Sequence, residues 1–147
     1  ADFAGWGNVA GGPGVQLFDS IVGTRSLIIE DCWLEFGIDG INTALCNDII
    51  IRRNIILNAY DEIAHAQGIW GAKISAIIEE NFLYHNGWYK QSALGDNDKS
   101  EGQATIFNHS MYLSGMRNSL VRNNISISPS SICSPILSTS RQVLLNR

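Results

Sequence analysis

Charged residues and long apolar runs are both scarce in this chain. Charged residues make up 16% of its 147 residues, below the quarter that is usual for a soluble domain. Ten basic and 14 acidic residues give a formal net charge of −4 at pH 7. A nucleic-acid partner is not expected, because such partners select a basic face. No segment reaches the roughly 20 apolar residues of a membrane span, so no membrane partner is expected either.

The sequence also lacks a leader signature and a cysteine pattern. The start, from Ala1 to Trp6, has no basic region and no apolar core, so no signal peptide is recognised. The sequence therefore assigns no cellular compartment; an exported protein would be extracellular or at the cell surface. Cys32, Cys46 and Cys133 do not have the spacing of a metal site. We expect buried thiols, with a Cys32–Cys46 disulfide as the alternative in an exported protein.

What the chain does contain is a repeated phrase of two aliphatic residues, two charged or polar residues, and then Asn or Cys. Its four copies end at Cys32, Asn54, Asn81 and Asn124. Upstream lies a second echo, which reads Gly68-Ile69-Trp70-Gly71 and Met111-Tyr112-Leu113-Ser114, with Gly37-Ile38-Asp39-Gly40 as an earlier version. Short Ile-rich segments separated by Gly, Asn and Ser favour β-strands. Self-similar units indicate a stack of equivalent repeats.

The recurring asparagine predicts how the repeats stack. Equivalent side chains in parallel strands lie about 4.8 Å apart. We therefore expect Asn54, Asn81 and Asn124 to form a ladder at a turn, which Cys32 ends. Asparagine suits such a place because it tolerates left-handed backbone angles and its amide can both donate and accept.

Alternating charges predict the same register. Two places before the end of each phrase stand residues of alternating sign, namely Glu30, Arg52, Glu79 and Arg122. Opposite charges on adjacent strands stabilise this alignment by roughly 0.2–1 kcal/mol a pair. The sequence thus predicts one all-β domain over 1–147, a solenoid of about five coils. The longest step between phrases predicts a loop insertion at about 88–103.

The repeats resemble the right-handed parallel β-helix superfamily, the fold of pectate lyases and many other polysaccharide-active proteins. The stretch from Ile77 to Gly87 looks like a typical coil, and the resemblance covers roughly Gly14 to Arg147. It implies a carbohydrate-associated protein: a polysaccharide lyase, a glycoside hydrolase or a remnant of one. A non-catalytic sugar-binding or self-assembling module is the alternative. A leucine-rich repeat is the structural alternative, disfavoured because Ile replaces regularly spaced Leu.

The insertion at 88–103 and its flanks form the predicted site, because polar loops on a rigid scaffold commonly carry function. Aromatic rings stack on the CH faces of sugars, and polar groups bind the hydroxyls. The predicted sugar-binding residues are Trp88, Tyr89, Tyr84, Tyr112, Trp70, Asp96 and Asp98. The predicted proton-transfer residues are Lys90, His85 and His109. The superfamily's catalytic signatures are absent, so no residue role is transferred from it, and a solvated surface loop is the alternative.

Two weaker candidates involve acidic groups. The stretch from Gly95 to Lys99 offers hard oxygen ligands for calcium, although it lacks the full calcium-loop pattern and a simple turn is favoured. No other cofactor is predicted. The join containing Asp61, Glu62 and His65 is a second acidic candidate, and an exposed helical turn explains it equally well.

Self-association is expected for two reasons. Only one of two successive strand residues faces inward, so either the row of Ile28, Ile50, Ile77 and Leu120 or the row of their successors should face outward as an apolar stripe. The chain also stops inside a predicted strand, which indicates a fragment or an open-ended stack. We expect a homo-oligomer formed through the open ends or the stripe.

Overall fold

The structure is a computed structural model that describes residues 18–35, 37–59, 65–87, 108–131, 136–138 and 143–146, with the backbone alone for 18–21, 136–138 and 143–146. Within these residues all regular secondary structure is β-strand. The strands in chain order are β1 (Phe18–Val22), β2 (Ile28–Glu30), β3 (Trp33–Glu35), β4 (Asp39–Ala44), β5 (Ile49–Arg52), β6 (Ile55–Leu57), β7 (Gln67–Ala72), β8 (Ala76–Glu79), β9 (Phe82–Tyr84), β10 (His109–Met116), β11 (Ser119–Arg122), β12 (Ile125–Ile127), β13 (Ile136–Ser138) and β14 (Val143–Asn146).

Successive strands join three sheets in turn. The first sheet has the order β1-β4-β7-β10-β13, the second β14-β11-β8-β5-β2, and the third β12-β9-β6-β3. Every pairing is parallel. Each sheet therefore collects every third strand of the chain. The predicted all-β class with parallel pairing is confirmed, and no described helix is long or apolar enough to cross a bilayer.

The asparagine ladder lies at the turn between the second and third sheets. Asn54 Nδ2 donates to Asn81 Oδ1 over 2.9 Å, and Asn81 Nδ2 donates to Asn124 Oδ1 over 2.9 Å. The same oxygens accept backbone N–H groups of the preceding level, with Cys32 N donating to Asn54 Oδ1. The amide nitrogens also donate to the carbonyls of Ile29 and Ile51. The predicted ladder and its end at Cys32 are confirmed.

The left-handed residue of this turn is not the asparagine. Positive φ angles of 54–58° fall on Asp31, Arg53 and Glu80, each directly before a ladder position, and Asn123 is the fourth member. A charged residue makes the bend at three levels and Asn123 makes it at the fourth. The asparagine that follows Arg53, Glu80 or Asn123 forms hydrogen bonds with the backbone. Asparagine is therefore favoured at the ladder positions because its amide forms hydrogen bonds. Its tolerance of left-handed backbone angles, which the sequence analysis gave as a further reason, is not used there.

The alternating charges lie in one row on the outer face of the second sheet. Glu30 pairs in register with Arg52, and Arg52 with Glu79, which pairs with Arg122. Arg52 Nε lies 2.7 Å from Glu30 Oε2, and Arg122 Nη2 lies 2.7 Å from Glu79 Oε2. At the adjoining turn, hydrogen bonds from the Arg53 guanidinium lower the pKa of the Asp31 carboxyl. The predicted register is confirmed.

The core fills the space between the three sheets. In the second sheet the successor row faces inward, and Ile51 and Ile78 are fully buried. The third sheet contributes Leu34, Ile56 and Leu83, all fully buried. The outward row of the second sheet is therefore Ile28, Ile50, Ile77 and Leu120. The predicted outward stripe is confirmed, and the structure decides which row forms it.

Two cysteines lie in the described residues, and both are thiols. Cys46 is buried and Cys32 is half-buried. Each Sγ donates to the carbonyl two residues earlier, Cys32 to Glu30 over 3.3 Å and Cys46 to Ala44 over 3.0 Å. The Cys32–Cys46 disulfide alternative is not realised, and Cys133 lies outside the described residues.

The register of the first sheet differs from the alignment that the echoes predict. Met111 pairs with Ile69 and Tyr112 with Trp70, whereas the echo aligned Tyr112 with Ile69. The extra residue lies in the connection from Ser114 to Leu120, because five residues separate these two where four separate their partners Ala72 and Ile77. The earlier version was misaligned too, because Ile41, and not Ile38, pairs with Ile69.

Candidate functional site

A cleft with a volume of about 330 Å³ lies on the first sheet. Two rows of residues line it. At the strand starts, Asp39 pairs with Gln67 and Gln67 with His109. Three residues on, Asn42 pairs with Trp70 and Trp70 with Tyr112, and His65 completes the lining. Parallel pairing thus sets a polar row beside a row of one amide and two aromatic rings.

The polar row is held by bonds between levels. Gln67 N donates to Asp39 Oδ1 over 2.8 Å, and His109 N donates to Gln67 Oε1 over 2.7 Å. Asn42 Nδ2 donates to Asp39 Oδ2 over 2.9 Å, which ties the two rows together. Asp39, Gln67 and His109 are each at most 5% exposed. Their positions are therefore set by the strands before any ligand arrives.

The aromatic side chains of the cleft are partly ordered by stacking. The ring centroids of His109 and Tyr112 lie 5.5 Å apart with an interplanar angle of 19°. Trp70 and Tyr112 are half-buried, so part of each ring faces the cleft. Flat half-exposed rings at neighbouring levels are surfaces on which a ring-shaped ligand can stack.

Gly68 allows the close approach that brings the polar row together. A Cβ at this position would lie 2.5 Å from the backbone oxygen of Ser110 and 3.0 Å from Asn86 Nδ2. A backbone atom cannot give way as a flexible side chain can, so only glycine fits between these groups. The neighbours Gln67 and His109 therefore stay in register on adjacent strands.

The structure brings together three of the predicted site residues. Trp70, Tyr112 and His109 all line the cleft. Tyr84 ends β9 in the third sheet and His85 follows it at the corner, and neither lines this cleft. The remaining predicted residues, Trp88, Tyr89, Lys90, Asp96 and Asp98, lie outside the described residues together with the loop at 88–103. Asp61 and Glu62 also lie outside them.

His85 occupies a different environment. It is 7% exposed and has a φ of 53°, and its Nδ1 lies 2.9 Å from Asn58 Oδ1. Burial lowers the pKa of the His85 imidazole. The ring is therefore neutral near pH 7. His85 forms part of the corner after β9, at the position that Asn58 occupies one repeat earlier.

Three cleft residues escaped the sequence analysis: Asp39, Asn42 and Gln67. A signal for them exists in a four-residue pattern of a polar residue, a small residue, an aliphatic residue and an amide or aromatic residue. The pattern reads Asp39-Gly40-Ile41-Asn42, Gln67-Gly68-Ile69-Trp70 and His109-Ser110-Met111-Tyr112. Aligning the small residues gives the observed register directly. His65, noted only as part of an acidic join, is exposed and lines the cleft.

The chemistry of the cleft is that of amides, imidazoles and aromatic rings. Asp39 is the single carboxylate among the described lining residues, and both its oxygens accept hydrogen bonds. The described lining residues therefore do not supply the pair of carboxylates that glycoside hydrolysis requires. The described ranges also contain no group of three His, Cys, Asp or Glu side chains placed to hold a metal ion.

Comparison of the chain with protein-family models, with curated protein sequences and with solved structures finds no match to any of them.

Proposed function

We propose that this chain binds a segment of a poly- or oligosaccharide in the cleft of the first sheet. The observation that carries this is the pair of parallel rows, with Trp70 and Tyr112 beside Gln67 and His109. Sugars present CH faces to aromatic rings and hydroxyls to amides and imidazoles. The rows repeat about every 4.8 Å, so at each level a chain-like ligand meets a polar side chain beside an amide or an aromatic ring.

The proposed binding fold is a right-handed parallel β-helix. Support comes from the strand order, in which each strand pairs in parallel with the strand three places earlier in the chain. Connections between parallel strands of one sheet are right-handed in about 98% of cases. A right-handed winding would set the first sheet as one continuous face, on which the cleft occupies the levels of β4, β7 and β10.

Binding is tested with titration calorimetry against neutral and uronic-acid oligosaccharides of graded length. The variant Trp70→Ala should weaken binding at least about tenfold, which corresponds to 1.4 kcal/mol. Trp33→Ala is the matched control, because Trp33 is an exposed tryptophan on the third sheet. Equal loss in both variants, or no binding of any oligosaccharide by folded protein, would refute the proposal.

A second candidate function is β-elimination in a uronic-acid polymer, and the stacked His109 and Tyr112 favour it. In this reaction a base removes the C5 proton, the C4–O bond breaks, a C4=C5 double bond forms, and the departing oxygen takes a proton. We assign the base and the acid to this His–Tyr pair. The amides of Asn42 and Gln67 would donate to the uronate carboxylate.

Elimination is tested by the ultraviolet absorbance of unsaturated product. Tyr112→Phe keeps the ring and removes the hydroxyl, so kcat should fall at least about a hundredfold, the usual scale of a positioned proton-transfer group, while KM stays near its original value. Tyr84→Phe, on the third sheet, should change neither constant. Absence of product from every uronic-acid polymer would exclude elimination and leave the binding proposal to its own titration.

A further inference from the structure

The outer face of the second sheet is apolar along one row and charged along the next. The apolar row consists of Ile28, Ile50, Ile77 and Leu120, and the charged row of Glu30, Arg52, Glu79 and Arg122. Ile28 is 53% exposed and Ile77 is 37% exposed, although both lie in strands. We call these eight residues the second-sheet face.

Ile50 and Leu120 are half-buried, so the apolar row reaches the surface at each of its four levels. A recess of about 230 Å³ has Ile50 and Ile77 in its wall and lies beside the turn residues Asp48, Ser75 and Asn118. A regular apolar row on the surface of a small protein usually meets a partner. The neighbouring charges identify what kind of partner fits.

Along the stacking direction the charges read minus, plus, minus, plus. Reversed in direction, the same row reads plus, minus, plus, minus. A reversed copy of the row is therefore complementary to the row itself at all four levels: Glu30 meets Arg122, and Arg52 meets Glu79. Self-complementarity under reversal is the requirement of an isologous contact.

We propose that two copies of this chain pack their second-sheet faces together around a two-fold axis that runs parallel to the strands. This axis reverses the stacking direction and leaves the position along each strand unchanged. Each apolar row then meets the partner's apolar row, and each charged row meets the partner's charged row with opposite signs at every level. Asn146, in register after Arg122, lies beyond the four matched levels.

The other face-to-face two-fold does not give this match. An axis along the stacking direction keeps every residue at its own level and exchanges the two ends of each strand. Charges then meet either the same charge of the partner or its isoleucines. Like charges brought together cost several kcal/mol, and a charge against an apolar side chain is desolvated without compensation. The charge order thus selects one orientation.

The size of the face sets the expected strength. Four strands spaced about 4.8 Å apart, with two outward residues each, give a contact below the roughly 1,200 Å² of a standard stable interface. We therefore expect a weak, reversible dimer. The cleft lies on the first sheet, so the dimer leaves it open and does not depend on the proposed sugar binding.

The test is sedimentation velocity of the full chain from about 10 μM to 1 mM, where the mass should rise from 16.1 kDa toward twice that value. Ile77→Asp should weaken dimerisation at least about tenfold. Ile125→Asp is the matched control, since Ile125 is 56% exposed on the third sheet, and it should leave dimerisation unchanged. A monomer throughout, or equal effects of the two substitutions, would overturn the proposal.

The orientation is tested with a charge-inverted chain carrying Glu30→Arg, Arg52→Glu, Glu79→Arg and Arg122→Glu. This chain keeps alternating signs, so it should dimerise with itself. Against the original chain in the reversed orientation it presents like charges at all four levels, so mixed dimers should be absent in an energy-transfer assay between amino-terminally labelled samples. Mixed dimers that form as readily as like pairs would contradict the axis. If the inverted chain does not fold, the comparison of Ile77→Asp with Ile125→Asp decides the proposal.

Discussion

Asn81 is the central side chain of the asparagine ladder and is 1% exposed. Its oxygen accepts from the backbone and side chain of Asn54, and its nitrogen donates to Ile51 O and Asn124 Oδ1. Asn81→Ala would leave several of these groups buried without a partner. We expect a loss of roughly 2–4 kcal/mol in the free energy of unfolding, measured by denaturant titration.

The matched control is Asn47→Ala, at an asparagine that is exposed. It should change the free energy of unfolding by less than about 0.5 kcal/mol. If both substitutions cost the same, the ladder contributes no more than any surface amide, and the hydrogen bonds between levels are not what fixes the turn.

His85 gives the protein a dependence of stability on pH. Its Nδ1 lies next to an amide oxygen, which only accepts, so Nδ1 carries the proton of the neutral ring. A second proton would have to go on the buried Nε2. Because the pKa of His85 is lowered in the folded state, the unfolded chain binds this proton more readily. Its contribution is present above about pH 6.5 and is lost as the pH falls toward the lowered value.

The measurement is the denaturation midpoint at about pH 8 and about pH 5.5, on either side of the ordinary histidine pKa. The original chain should lose more stability on acidification than His85→Asn. Asparagine is chosen because it accepts the left-handed backbone angle that position 85 requires. An identical pH dependence in the two proteins would show that another group causes it.

At the scale of the elements, the corners after the first sheet share one left-handed position. Gly23, Leu45, Lys73 and Gly115 occupy it with φ angles between 54° and 69°. Two members are glycine, and Leu45 is 54% exposed there, so it gains little from packing. We expect Leu45→Gly to stabilise the protein by about 0.5–1 kcal/mol, since relief of the left-handed angle exceeds the entropic cost of glycine. Thermal unfolding measures the change.

The converse substitution at the same corner is Gly115→Ala. Its Cβ would lie 3.2 Å from Lys73 Cγ, a side-chain atom that can move, so the expected cost of about 1 kcal/mol comes from the backbone angle. Stabilisation by Gly115→Ala, or destabilisation by Leu45→Gly, would mean that contacts and not φ determine the residue at this corner.

The register of the second sheet could be predicted from sequence because its rows repeat one chemical type or alternate strictly in sign. Asn54, Asn81 and Asn124 are identical, so their alignment is visible despite unequal spacing. The cleft rows change type at every level, from carboxylate through amide to imidazole. In the sequence, the equivalence of these residues can therefore be seen only from the small residue that follows each of them. The echo was placed one residue off because the connection from Ser114 to Leu120 is one residue longer than the one from Ala72 to Ile77.

Only part of the site could be predicted from the sequence, and the reason is again physical. Aromatic and imidazole side chains indicate a ligand surface wherever they cluster, which is why Trp70, Tyr112 and His109 were found. Tyr84 and His85 have the same chemistry, but Tyr84 lies in the third sheet and His85 at the corner after it. Which sheet a residue joins depends on where the chain turns, and turns are set by φ angles at residues as different as Leu45 and Arg53.

At the scale of the whole molecule, stacked repeats touch only their neighbours, so stability should vary along the stack. In the third sheet β6 and β9 have a paired strand on both sides, whereas β12 pairs on one side within the described residues. Ile56 and Leu83 are fully buried, while Ile125 and Ile127 are 56% and 44% exposed. Local opening should therefore begin at β12 and reach the central strands last.

Hydrogen exchange followed by mass spectrometry measures this gradient. Peptides that contain β6 and β9 should exchange at least about tenfold more slowly than peptides that contain β12. Asn81→Ala should remove most of the difference, because it breaks the ladder between the central levels, whereas Asn47→Ala should preserve it. Uniform exchange in the original protein would mean that the three sheets open as one cooperative unit. In that case the coupling between distant levels must come from the shared core, and not from bonds between neighbouring repeats.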